Sequence, residues 1–150
     1  MSLWLIARLV DGLDGPVARV RGEAGDLGGY LDMLADTIGY ALIPIGVALG
    51  VDERGTWIAL AFLLAALYVN AISWTYPAAV LEKRGAGARQ QGELTSVTMP
   101  PALIEGTETI VLFTLFLAFP ERAAWLFATM AGLVAVNVLL RLRWASKRLA

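Results

Sequence analysis

The chain has 150 residues, the size of one domain, so a single domain over 1–150 is expected and a second catalytic module is not. Its hydrophobic share is 58%, against about 45–50% in soluble chains, and a mean hydropathy of +0.66 points to a multi-pass membrane protein. A net charge of −1 offers no field for gathering nucleic acid, and the absence of His and Cys excludes thiolate nucleophiles, Ser-His triads, structural zinc, iron–sulfur clusters and His-ligated haem. Any metal must be held by oxygen ligands, and a carboxylate is the expected general base.

A bilayer core of about 30 Å needs roughly 20 apolar residues per helix. In chain order, helices are predicted over Ser2–Arg21, Leu27–Val51, Thr56–Leu81, Pro101–Phe119 and Ala123–Leu140. The first ends in a polar segment. The second carries Asp32 and Asp36 near its start and is apolar from Thr37 onward. The third has no charged residue. In the fourth, Thr98 serves as cap and the two prolines fall in first-turn positions that tolerate them, which places Glu105 and Glu108 one to two turns inside. The fifth is uncharged. The predicted fold class is therefore an all-α, polytopic bundle of five transmembrane helices.

The connections are short and polar. Alternating crossings gather Arg19, Arg21, Lys83, Arg84, Arg89, Arg141, Arg143, Lys147 and Arg148 on one side and leave Arg54 and Arg122 on the other. By the positive-inside rule the nine-residue side faces the cytoplasm. Trp57 and Trp125 then fall near outer helix ends, and Trp74 and Trp144 near inner ends, as interfacial aromatics should.

Four aspartates surround the first cytoplasmic turn: Asp11, Asp14, Asp32 and Asp36. Spacings of three and four put each pair on one helix face, and a helix hairpin would set the pairs opposite each other. Four like charges beside a bilayer are costly when bare. Divalent cations resolve this, because carboxylates are the hard ligands that Mg²⁺ or Mn²⁺ prefers. Two such ions, roughly 3.5–4 Å apart, can clamp a diphosphate and activate a hydroxyl. Gly15, Ala18 and Gly28 lie on the same faces and leave room for a ligand, while Arg19 can pair with a phosphate. The bland alternative for the glycines is close helix packing. For the aspartates it is a solvated helix end, credible for Asp11 alone but not for all four.

The pattern Asp11, Asp14, Gly15, Ala18, Arg19, Gly28, Asp32, Asp36 resembles the signature of the CDP-alcohol phosphatidyltransferase family at all eight of its fixed positions. A chance match at a given start is on the order of 10⁻⁹ to 10⁻¹⁰. The resemblance implies transfer of a phosphatidyl or related phosphoalcohol group from a CDP-linked donor to an acceptor alcohol, with release of CMP, in phospholipid biosynthesis. It implies that Asp11, Asp14 and Asp32 bind the metal ions (Mg²⁺ or Mn²⁺, two of them). It also implies that Asp36 completes that cluster and is the candidate base on the acceptor hydroxyl. Gly15, Ala18 and Gly28 would line the cytidine and diphosphate pocket, with Arg19 beside the cluster or a phosphate. The expected partners are a CDP-linked lipid donor, a small alcohol or lipid acceptor and membrane lipids, with no nucleic acid; a homodimer is compatible with such a site. The expected location is a bacterial inner membrane, with the site facing the cytoplasm.

Other polar residues invite weaker readings. Glu105 and Glu108 are either functional intramembrane acids or partners of a Thr or Asn on a neighbouring helix. Family members acting on inositol phosphate carry arginines beside such acids, whereas Gly106 and Thr109 stand here, which argues against that acceptor. Asn70, Ser73 and Tyr76 form a stripe that either lines the acceptor pocket or bonds between helices. Lys83, Arg84 and Arg89 are a topology signal or an attraction for an anionic acceptor or anionic lipid. A membrane prenyltransferase would want two separated aspartate motifs, and a transporter would spread its acids across the bilayer; a non-catalytic scaffold would not need the intact motif. Ten residues before Asp11 make about 15 Å of helix, half a bilayer. Family members usually have six helices, so an N-terminally incomplete version of a longer protein is expected.

Overall fold

The computed structural model describes Trp4, residues 26–87, Thr98, Pro100 and residues 102–150. Among these the chain is all helix: α1 (Asp26–Val51), α2 (Arg54–Lys83), α3 (Gly106–Ala118), a 3₁₀ turn (Pro120–Arg122) and α4 (Ala123–Leu149). The predicted first helix lies outside the described residues except for Trp4. Three segments are long and apolar enough to cross a bilayer, namely Leu27–Val51, Arg54–Lys83 and Pro120–Leu149. The protein is an all-α membrane helix bundle.

Local chemistry sets the ends. After α1, Asp52 takes a left-handed φ of 49°, which Asp tolerates better than most residues, and its carboxylate accepts the Trp57 indole N–H at 3.2 Å. α2 closes on Gly85 at φ 67°. There the Gly85 N–H bonds the Glu82 carbonyl at 3.0 Å and the Ala86 N–H bonds the Leu81 carbonyl at 2.9 Å, a Schellman end that needs glycine at its left-handed residue. The Arg84 guanidinium then reaches the Leu149 carbonyl at 3.1 and 3.2 Å, satisfying the last turn of α4 where its dipole favours a cation.

The predicted helix over Pro101–Phe119 needs correction. α3 starts only at Gly106, and Thr98 caps nothing: it is buried and its hydroxyl finds no partner among the described residues. Each proline disfavours helical backbone in the residue before it, so the Met99-Pro100-Pro101 run resists continuation into a helix. A better start lies further on. Glu105 accepts from the N–H three residues later, and the Glu108 carboxylate accepts the Glu105 N–H at 3.1 Å, a reciprocal capping box. Glu105 and Glu108 therefore open the helix instead of lying turns inside it. With 13 residues, α3 extends about 20 Å, short of a bilayer core of about 30 Å.

The apolar core gathers at the end of the bundle where α1 meets α2 and α3 meets α4. Val47 and Ala48, Leu60 and Leu63, Phe113 and Phe116, and Phe127, Met130 and Val134 pack there. All lie within about 17 Å of that end at 1.5 Å per residue. Phe116 meets Phe127 edge-on at 4.8 Å and Phe113 at 5.1 Å; Phe113 also touches Tyr40 at 5.3 Å and Trp4 at 6.0 Å. The Trp4 indole donates to the Thr114 hydroxyl at 3.0 Å. Large side chains such as Leu31, Leu42, Phe62, Ile72 and Leu139 point outward, as lipid-facing residues do.

Candidate functional site

Counting residues from the same end locates the polar groups. Asp36 and Asp32 stand 15 and 19 residues before the end of α1, Asn70 16 residues into α2, Asn137 and Arg141 14 and 18 residues into α4, and Glu105 13 before the end of α3. At 1.5 Å per residue these six lie about 20–28 Å from that end. The bundle is thus an apolar plug on one side and a polar layer on the other, and the layer sits toward the end that carries Lys83, Arg84, Arg143, Lys147 and Arg148. Polar side chains at such depth are costly in lipid and are kept where they have partners or a task.

Asp32 and Asp36 are one helical turn apart on α1, so their carboxylates share a face; Asp32 is exposed and Asp36 half-buried. The Tyr40 hydroxyl, a further turn on, donates to Asp36 Oδ2 at 3.5 Å, a long bond that orients the carboxylate more than it neutralises it. Gly28 is exposed one turn before Asp32, and a side chain there would meet nothing among the described residues. Helix packing among those residues therefore does not require glycine at 28. Asp11, Asp14, Gly15, Ala18 and Arg19 lie outside the described residues. No group of three metal-ligating side chains occurs among the described ones. What is present, two hard carboxylates on one face in the polar layer, fits half of a divalent-cation site.

The layer is cross-linked by α4. Arg141 Nη1 donates to Asn70 Oδ1 at 2.8 Å, while its buried Nε has no partner among the described residues. Of the predicted stripe, Asn70 bonds between helices, Ser73 turns back to the Asn70 carbonyl at 2.7 Å and Tyr76 is exposed. Among the described residues, Glu105 and Glu108 find their bonds locally, in the capping box, and not on a neighbouring helix. Arg84 has a structural task at the α4 terminus; Arg89 lies outside the described residues.

Sequence reasoning missed Asn137, which is almost wholly buried and makes three hydrogen bonds to the backbone of residues 103–104. The signal was available: it is the one side-chain amide in the uncharged run Ala123–Leu140. Arg141, counted only toward topology, is an interhelical hydrogen-bond donor.

Known proteins bear on the rest. A family model for CDP-alcohol phosphatidyltransferase matches residues 1–141. The chain is 37% identical over 125 residues to Inner membrane protein YnjF of Escherichia coli (strain K12), covering 81% of this chain and 56% of that protein, so it spans little more than half of the relative's length. No solved structure matches it. Three bilayer-length helices, a polar layer with a carboxylate pair on one face, and a family match over nearly the whole chain converge: this integral membrane protein belongs to the CDP-alcohol phosphatidyltransferase family.

Proposed function

We propose that the chain transfers a phosphatidyl or related phosphoalcohol group from a CDP-linked lipid donor to an acceptor alcohol, releasing CMP, in phospholipid synthesis. The observation that carries this reading is the Asp32–Asp36 face lying in the polar layer beneath an apolar plug. Substrates entering from the basic side would meet the carboxylates there and go no further. Lys83, Arg84, Arg143, Lys147 and Arg148 favour the cytoplasmic orientation for that side, and the similarity to an inner membrane protein of Escherichia coli supports a bacterial inner membrane as location.

Asp11, Asp14, Asp32 and Asp36 are the residues to hold two Mg²⁺ or Mn²⁺ ions, which when bound supply charge neutralisation for the diphosphate. Gly15, Ala18 and Gly28 leave space for the cytidine diphosphate, and Arg19 offers a guanidinium to a phosphate. The acceptor oxygen attacks the phosphorus that carries the lipid alcohol. A new P–O bond forms there, the P–O bond to CMP breaks, and CMP leaves with the electron pair. The hydroxyl proton passes to Asp36, the half-buried member of the pair, held in orientation by Tyr40. One domain over 1–150 and a homodimer are part of the same proposal.

The test is CMP release by the detergent-solubilised chain, given CDP-diacylglycerol, Mg²⁺ or Mn²⁺ and a panel of acceptors: glycerol phosphate, inositol phosphate, serine and phosphatidyl lipids. Metal-dependent CMP with at least one acceptor is expected. No CMP above a metal-free control, from protein shown to be helical and monodisperse, would overturn the reading.

A further inference from the structure

α2 and the segment Pro120–Leu149 are each 30 residues long, about 45 Å at 1.5 Å per residue, against a hydrocarbon core of about 30 Å. Trp57 and Trp125, both exposed, mark the interface at the plug end. About 20 residues further along each helix, the thickness of the core, stand Pro77 on α2 and Ala145 on α4. The last turns of both helices therefore reach headgroup level. Arg143 lies at that boundary, and Lys83, Arg84, Lys147 and Arg148 lie beyond it.

The bundle does not neutralise these cations. Glu82 is the one acid in the last two turns of α2, and the last two turns of α4 hold none. The side chains of Lys83, Arg143 and Lys147 are exposed and make no hydrogen bond or ion pair among the described residues. Arg143 and Lys147, four apart, share an outward face of α4, while buried Ala145 marks the opposite one. The Arg148 guanidinium lies 5.7 Å over the Trp144 ring, a stacking that leaves its N–H edge open to an anion. Arg84, bonded to the Leu149 carbonyl, ties the end of α2 to that of α4 and gathers both sets of cations on one surface. At the plug end, by contrast, Arg54 and Arg122 stand among Asp52, Glu53 and Glu121. The positive-inside rule counts Lys and Arg and is nearly blind to acids. It therefore does not account for a helix end with Arg143, Lys147 and Arg148 and no acid.

We propose that the joined ends of α2 and α4 are a docking surface for anionic phospholipid headgroups of the surrounding leaflet, with Arg143, Lys147 and Arg148 as the side chains that bind the phosphate. Depth selects a lipid over a soluble anion. Arg143 and Trp144 sit at the edge of the hydrocarbon core beside Leu142, which is 64% exposed, so an anion held there carries an apolar part against that face. A cation near such a leaflet adds about fivefold in affinity. The surface is on the outside of the bundle and does not depend on the transferase reading.

The test places the full chain in phosphatidylcholine bilayers with spin-labelled phosphatidylglycerol or phosphatidylcholine as the probe, and reads the fraction of label that the protein immobilises. The parent should favour phosphatidylglycerol about tenfold at low salt. That preference should shrink to about twofold in 1 M salt, where screening acts within about 3 Å. Arg143→Gln, Lys147→Gln and Arg148→Gln combined should bring it within about twofold at low salt, whereas Arg143→Lys with Arg148→Lys should keep it. Arg54→Gln with Arg122→Gln, at the other end, should leave it unchanged. A parental preference in the triple variant, or one indifferent to salt, overturns the proposal and leaves these residues as topology signals. So does displacement of the labelled lipid by inorganic phosphate beyond that by chloride of equal ionic strength, which would make the surface a soluble-anion site. If the triple variant does not fold, the salt response and the charge-keeping variant decide: a salt-sensitive preference kept in that variant supports the surface, and loss of either overturns it. No arm reads CMP release, so failure here and failure of the transferase reading are separate results.

Discussion

Phe113→Ala tests the division of the bundle into an apolar plug and a polar layer. Phe113 is fully buried and its ring contacts three aromatic neighbours, Trp4, Tyr40 and Phe116, with centroids 5.1–6.0 Å away. In a soluble core such a truncation costs about 3–5 kcal/mol, part of it lost transfer from water. In a membrane that part is small, because lipid is as apolar as the core. What remains is packing, and three aromatic pairs at about 0.5–1.5 kcal/mol each set the scale at roughly 2–4 kcal/mol. Phe62 supplies the control: it is 68% exposed to lipid, and Phe62→Ala leaves no internal cavity. Denaturant titration of the helical signal in mixed micelles reads both variants. The deleted ring lies about 8 Å from the plug end of α3 and reaches Asp36 only through Tyr40, so CMP release at low temperature should fall by no more than about fivefold, the limit for losing the Tyr40 bond, while thermal inactivation comes earlier. Equal stability of Phe113→Ala and Phe62→Ala would refute the plug, as would a deeper loss of turnover in Phe113→Ala at temperatures where it remains folded.

Asp36→Asn should lower kcat by about 10²–10⁴, the usual contribution of a general base, while nucleotide binding by calorimetry persists through Asp11, Asp14 and Asp32. Asp11→Asn and Asp32→Asn should weaken that binding as well; equal loss in all three variants would end the division of roles. Tyr40→Phe keeps the ring contact with Phe113 and removes a 3.5 Å bond, so turnover should fall by no more than about fivefold; a fall as deep as that of Asp36→Asn would give the hydroxyl a direct part in the chemistry. Gly85→Ala forces a methyl-bearing residue to φ 67° at the end of α2 and should cost about 1 kcal/mol in the same titration, whereas Gly132→Ala, mid-helix with open space around it, should gain about 0.5–1 kcal/mol from helix propensity.

Composition and hydropathy alone determined that this is an all-α membrane bundle, because apolar runs near 20 residues have no other stable use. The three long helices were legible to within a few residues at most ends, since charge and glycine mark where lipid stops. α4 alone ran on, nine residues past Leu140, carried by Arg84 at its terminus. The family was legible too, from the spacing of Asp11, Asp14, Asp32 and Asp36 with the small residues between them. What the sequence did not disclose was the start of α3. Two prolines after Thr98 read as the first turn of a helix, and nothing local could reveal that a side chain 33 residues on would accept and donate the bonds that keep Ile104 out of it. Likewise Arg141 reads as one more basic residue until α2 brings Asn70 to within 2.8 Å. Local rules fix where a helix can begin; the competition among possible beginnings is decided by whichever distant group satisfies the backbone left over, and only the packed bundle supplies that group.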